Sequence, residues 1–150
     1  FNGGKEWTEK TKNKFMELID RPYIRRISIL GGEPLAEQNL DEVLSLIKEI
    51  RISFPEKTIW LYTGFTWDSI MNYKSTNKFT EKDVLFNFHI KKDFEMIQRE
   101  NIIKLCNVLI DGEYIDGQRD ITLAYRGSKN QRVIDVQQSL AQNKVVLYCD

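Results

Sequence analysis

Three short apolar runs in this chain each stop at glycine, and that repetition limits its fold more than any other feature. The first, Ile27-Ser28-Ile29-Leu30, runs into Gly31-Gly32-Glu33-Pro34-Leu35; the second, Thr58-Ile59-Trp60-Leu61-Tyr62, into Thr63-Gly64; the third, residues 107–110, into Asp111-Gly112. Runs of four or five β-branched, aromatic and aliphatic residues bounded by glycine read as strands. Helical patterns lie between them, which implies right-handed crossovers and a parallel sheet with every strand's carboxyl end on one edge. Ligands of parallel α/β sheets bind at that edge. Glycine there has two readings, a tight turn into the next helix or bare backbone brought up to a polar ligand. Its recurrence on three consecutive strands favours the ligand.

The intervening patterns are helical. Residues 7–20 carry Phe15, Leu18 and Ile19 at helical spacing, and Pro22 ends the pattern because the residue before a proline avoids helical dihedrals. Asn39 followed by Leu40, Asp41 and Glu42 offers an Asx N-cap with a carboxylate three residues on. Leu40, Val43, Leu44, Ile47 and Ile50 form one stripe up to Pro55. Beyond the third strand, residues 133–136 and 144–148 read as two short strands joined by a helical turn, closing or covering the sheet edge.

The stretch 66–104 reads as a helical insertion. A short helix capped by Thr66 spans 67–71, a polar loop spans 72–78, and Thr80-Glu81-Lys82-Asp83 restarts a helix by capping-box logic with Val84, Leu85 and Phe88 on its apolar face. It holds the chain's one histidine, His89, whose neighbours Phe88, Ile90, Lys91 and Lys92 include no metal ligand. That histidine reads as structural.

Length and charge bound the rest. The 150 residues are 41% hydrophobic, enough for one domain with a real core. Twenty-two basic residues balance twenty-two acidic ones, so no global field recruits nucleic acid or an anionic membrane. Two cysteines make no disulfide framework and no window approaches a transmembrane span, which fits the cytoplasm. The polar opening Phe1-Asn2-Gly3-Gly4-Lys5 reads as the interior of a longer protein.

A second polar cluster lies at Tyr125-Arg126-Gly127-Ser128-Lys129-Asn130-Gln131-Arg132. Arginine forks with short hydrogen-bonding side chains suit a carboxylate or phosphate, and the same composition also makes a solvated turn.

Four blocks, residues 29–35 (Ile-Leu-Gly-Gly-Glu-Pro-Leu), 60–65 (Trp-Leu-Tyr-Thr-Gly-Phe), 108–114 (Val-Leu-Ile-Asp-Gly-Glu-Tyr) and 126–136 (Arg-Gly-Ser-Lys-Asn-Gln-Arg-Val-Ile-Asp-Val), appear in this order. Together they resemble the activating proteins of anaerobic ribonucleotide reductase, a small branch of the radical S-adenosylmethionine superfamily. The resemblance spans nearly the whole chain apart from residues 72–100. It implies an α/β fold of one domain, a partial (βα) half-barrel of the radical S-adenosylmethionine type with a mostly parallel sheet.

By that resemblance Gly31, Gly32, Glu33 and Pro34 hold the methionyl amino group of S-adenosylmethionine, for which strand-end carbonyls and the Glu33 carboxylate are suitable acceptors. Tyr62, Thr63, Gly64, Asp111 and Gly112 would lie near the cofactor's carboxylate or ribose, with a strand-end cap as the alternative for Asp111. Arg126, Ser128 and Asn130, with Arg132, would lie where the cofactor or the reductase docks. The implied reaction passes an electron from a reduced [4Fe-4S] cluster to the sulfonium, and the resulting 5′-deoxyadenosyl radical takes hydrogen from a glycine of the reductase large subunit. The implied electron donor is a flavodoxin or ferredoxin.

The cluster of such enzymes is held by thiolates spaced Cys-x3-Cys-x2-Cys, a motif this sequence does not contain; Cys106 and Cys149 stand alone. With the opening at Phe1, this gives the expectation that the first strand and cluster loop are missing from these residues, and that they do not perform the reaction alone. Two alternatives stay open: an activase of another glycyl-radical enzyme, and a cluster-free paralogue that only binds.

Overall fold

The computed structural model describes residues 8–74 and 83–150, with the backbone alone for 83–89. The chain is α/β, a five-stranded sheet with five α-helices. Helix α1 (Glu9–Ile19) starts where the Thr8 hydroxyl accepts from the Thr11 amide at 3.2 Å, and it ends before Pro22. Ile19 is buried and Phe15 and Met16 pack against the core, whereas Leu18, expected on the same stripe, is 56% exposed.

Strands β1 (Arg26–Ile29), β2 (Thr58–Tyr62) and β3 (Val108–Asp111) are parallel neighbours, as the glycine-ended runs predict. Strand β4 (Arg132–Asp135) pairs antiparallel with β3, and β5 (Leu147–Cys149) antiparallel with β4, so only β4 runs against the others. The last two strands are joined by helix α5 (Val136–Gln142), capped by the Asp135 carboxylate.

Helix α2 (Leu40–Ser53) buries Leu40, Val43, Leu46, Ile47 and Ile50. Leu46 widens the stripe read from the sequence, because the helix packs against both the sheet and a second helix, α4 (Asp83–Lys104). Its start also differs from expectation. A 3-10 turn, Glu37–Asn39, precedes it, and the Asn39 side chain makes no cap; it donates instead to the Glu33 carbonyl at 2.8 Å. Helix α3 (Trp67–Met71) begins as read, with the Thr66 hydroxyl accepting from the Ser69 amide at 3.2 Å. The expected capping box at 80–83, the contacts of Val84, Leu85, Phe88 and His89, and the opening residues 1–5 lie outside the described residues.

The two faces of the sheet bury different things. Ile27, Ile29, Ile59, Leu61, Leu109 and Ile134 point into the larger core, closed by the helices, where Met96, Ile102 and Ile103 of α4 join them. Trp60, Val108, Ile110 and Val133 point the other way and form a smaller cluster with Tyr62 and Cys149. That alternation is the two-residue period of a strand, and here it separates Cys106, in the larger core, from Cys149. Among the described residues no helix is long and apolar enough to cross a membrane.

Candidate functional site

The parallel register brings residues 31–35, 63–65 and 111–112 to one edge, and a single carboxylate ties the first two together. Glu33 follows the paired glycines after β1. Its Oε2 accepts from the Leu35 amide at 2.7 Å, which turns the chain back at Pro34. The same carboxylate reaches the end of β2, where the Thr63 hydroxyl donates to both oxygens at 2.9 Å and the Gly64 amide donates to Oε1 at 2.5 Å. A β-carbon on Gly64 would lie 3.3 Å from Glu33 Oε1, so a bare backbone permits that approach. Gly31 and Gly32 both have positive φ, 91° and 61°, where side chains are strained, and both are exposed. Pro34 and Leu35 are buried.

The third strand end joins through its neighbours. The Gly112 amide donates to the Phe65 carbonyl at 3.0 Å, and Phe65 in turn donates its amide to the Thr63 hydroxyl at 3.1 Å. Asp111, 1% exposed, takes the capping role: its Oδ2 accepts from the Trp67 amide at 2.8 Å, at the start of α3. Arg132 grips the same carboxylate from β4 through Nε at 3.1 Å and a terminal nitrogen at 2.7 Å, and also meets Asp68 at 2.8 Å. The hydrogen bond to Asp111 leads the forces that hold the Arg132 guanidinium above its ordinary pKa.

The block after β3 closes on itself and on that strand end. Ser128, fully buried, donates its hydroxyl to Asn130 Oδ1 at 2.6 Å and accepts from the Ile115 amide at 3.2 Å. Asn130 donates to the Glu113 carbonyl at 2.7 Å, and Gln131 donates to the Gly112 carbonyl at 3.0 Å. Arg126 is half-buried, and its Nε, shielded from solvent, has no hydrogen-bond partner among the described residues.

Tyr62 sits apart from the clamp, its ring on the second face, where burial pushes the phenol pKa up. A separate cavity of about 520 Å³ opens at the opposite end of the strands, lined by Arg26, Thr58, Trp60, Asn107 and Tyr148 among others, and it shares no residue with the glycine edge. There the Arg26 guanidinium lies 4.6 Å over Trp60, and Tyr125, at φ 65°, meets Trp60 edge-on at 4.7 Å.

Sequence reasoning missed one buried participant, Arg99, which touches Leu35 and Phe65. Its place in the run Gln98-Arg99-Glu100 reads as a solvated helix face. Only the 3.6-residue spacing from Met96 to Ile103 hinted that it faces inward.

The candidate site is therefore a glycine-lined edge at the carboxyl ends of three parallel strands in an α/β chain, and comparison with known proteins gives the family. The chain belongs to the 4Fe-4S single cluster domain family, which it matches over residues 1–134. It is similar to the protein named anaerobic ribonucleoside-triphosphate reductase-activating protein in Escherichia coli K12, 28% identical over 134 residues, covering 88% of this chain and 71% of that protein. The proteins of the same name in Enterobacteria phage T4 (28% identical, 87% of this chain and 65% of that one) and Vibrio cholerae (26% identical, 87% and 69%) are similar as well. These are the relatives that the four sequence blocks pointed to. No solved structure matches the chain.

Proposed function

We propose that this chain is the cofactor-gripping core of a protein that activates anaerobic ribonucleotide reductase, built as a partial half-barrel of the radical S-adenosylmethionine type. Its glycine edge would hold the methionyl end of S-adenosylmethionine. The observation that carries this reading is the Glu33 clamp, because it fixes the ends of β1 and β2 and leaves Gly31 and Gly32 as exposed, turned backbone beside them.

The donor set fits that group. An ammonium needs acceptors, and strand-end carbonyls without a β-carbon supply them. Glu33 spends its oxygens on Leu35, Thr63 and Gly64, so its part is to shape the edge and to attract the ammonium by charge. Thr63, Gly64 and Gly112 border the carboxylate and ribose, while Arg126 brings an unpartnered donor. Bound there and given one electron, S-adenosylmethionine would release methionine and supply the 5′-deoxyadenosyl group that takes hydrogen from a glycine of the reductase large subunit. A flavodoxin or ferredoxin as electron donor and a cytoplasmic location belong to the same proposal.

The residues of this chain do not fit the cluster. Cys106 is buried in the larger core with its thiol donating to the Ile102 carbonyl, Cys149 belongs to the opposite face, and the described residues hold no group of three His, Cys, Asp or Glu able to bind a metal. That separation favours, as a second reading, a paralogue that binds the cofactor without a cluster of its own. Both readings expect anaerobic reconstitution of the 150 residues with iron and sulfide to give no cluster, and a stoichiometric cluster would contradict both.

The test of the main proposal compares S-adenosylmethionine with 5′-methylthioadenosine, which lacks the amino-acid end. S-adenosylmethionine is expected to bind at least about tenfold tighter by calorimetry, a difference of about 1.4 kcal/mol. Equal affinities would contradict a site that grips the methionyl end.

A further inference from the structure

We propose that Arg99 of α4 is a positioning residue for the glycine edge, bracing the turn after β1 and the turn after β2. The idea rests on reading that edge as the cofactor site. Arg99 is 7% exposed, and its Nε donates to the Leu35 carbonyl at 2.8 Å. A terminal nitrogen contacts Met96 Sδ at 3.3 Å, and the guanidinium carbon lies 4.6 Å over the Phe65 ring.

Two of these contacts, with Leu35 and Phe65, fall just beyond the two halves of the clamp. Leu35 donates its amide to Glu33 and its carbonyl accepts from Arg99, so the residue is held at both of its peptide groups. Phe65 donates its amide to the Thr63 hydroxyl that Glu33 also binds, and its carbonyl takes the Gly112 amide. One side chain from the helix between β2 and β3 thus touches both turns, through the Leu35 carbonyl and the Phe65 ring, and Phe65 in turn holds the third strand end through Gly112.

The close partners of Arg99 are a carbonyl, a thioether and a ring face, and the Glu37 carboxylate acts on it by charge without a direct bond. Burying a guanidinium is costly, and an apolar side chain of similar length would fill the same space without that cost. What the arginine adds is direction: a planar fork that fixes a carbonyl while its face stacks on an aromatic ring. This gives α4 a part in the site as well as in the core.

The experiment takes the full chain with Arg99→Met and Arg99→Lys, and reads amide hydrogen exchange at Leu35, Gly64 and Gly112 together with S-adenosylmethionine affinity. In Arg99→Met, exchange at those three amides should rise at least about tenfold while Ile47 and Leu109 stay within about twofold, and affinity should fall about tenfold. Arg99→Lys, which can still donate to the Leu35 carbonyl, should recover a substantial part of both. Exchange that stays unchanged at the three amides, or rises equally throughout the chain, would overturn the proposal. If Arg99→Met does not fold, Arg99→Gln, too short to hold the Leu35 carbonyl and cover the Phe65 ring together, decides in its place: faster exchange confined to the three amides supports the brace, and a uniform or absent change overturns it. If the unaltered chain does not bind S-adenosylmethionine, the reading of the site falls, and the exchange measurement still decides whether Arg99 braces that edge.

Discussion

The Thr63 hydroxyl donates to both oxygens of the Glu33 carboxylate at 2.9 Å, across thirty residues of sequence and between two neighbouring strands. The Gly64 amide approaches the same carboxylate from beside it. The residue expected to receive a ligand's ammonium is therefore first a link between strand ends, and its mutational behaviour should reflect both duties.

Glu33→Ala leaves the Leu35 and Gly64 amides and the Thr63 hydroxyl without their acceptor. Each orphaned donor that stays shielded costs about 1–3 kcal/mol, and water reaches part of this edge, so a loss of about 2 kcal/mol in total is expected in urea unfolding. A stability equal to that of the unaltered chain would show that the clamp is not formed in solution.

Asp111 and Asp68 meet the same Arg132 in very different surroundings, with side chains 1% and 55% exposed. Removing one partner of a buried pair costs about 3–5 kcal/mol, and an exposed pair contributes about 1 kcal/mol or less. Asp111 also caps α3 through Trp67. Asp111→Asn should therefore destabilise far more than Asp68→Asn; comparable midpoints for the two variants would contradict the assigned burial.

How far the sequence disclosed this arrangement depended on the range of each interaction. Three glycine-ended strands, the Thr66 cap and the end of α1 before Pro22 follow from local dihedral and hydrogen-bonding preferences, and each appears within a residue or two of its expected place. Asn39 departs from its expected role because an Asx before a helix is an acceptable local cap, whereas here the Glu33 carbonyl, six residues back, takes its side-chain amide. The Glu33 clamp and the Arg99 brace join residues thirty and sixty-four apart, and no local pattern encodes such a pairing. No local pattern chooses between a cofactor flank and a strand-end cap for Asp111, because its contacts with Trp67 and Arg132 lie forty-four and twenty-one residues away.

Cys106 gives a pH prediction. Burial pushes its thiol up to about 12. An unfolded thiol ionises near its ordinary value, so between about pH 9 and 12 the unfolded chain binds fewer protons than the folded one and stability falls as pH rises. The fall in urea midpoint between pH 8 and 10.5 should be steeper for the unaltered chain than for Cys106→Ala, because other titrating groups are common to both. Parallel slopes would mean that the thiol is reached by water in the folded state.

Calorimetric titration of S-adenosylmethionine into Gly32→Val, Cys106→Ala and the unaltered chain asks whether bare backbone at the end of β1 grips the cofactor. Gly32 is exposed at φ 61°, so a β-branched side chain both strains the turn and covers its peptide groups, whereas Cys106 lies in the core away from that edge. An affinity at least about tenfold weaker is expected for Gly32→Val, and one within about threefold of the original for Cys106→Ala. Equal affinity in Gly32→Val and the unaltered chain would contradict it.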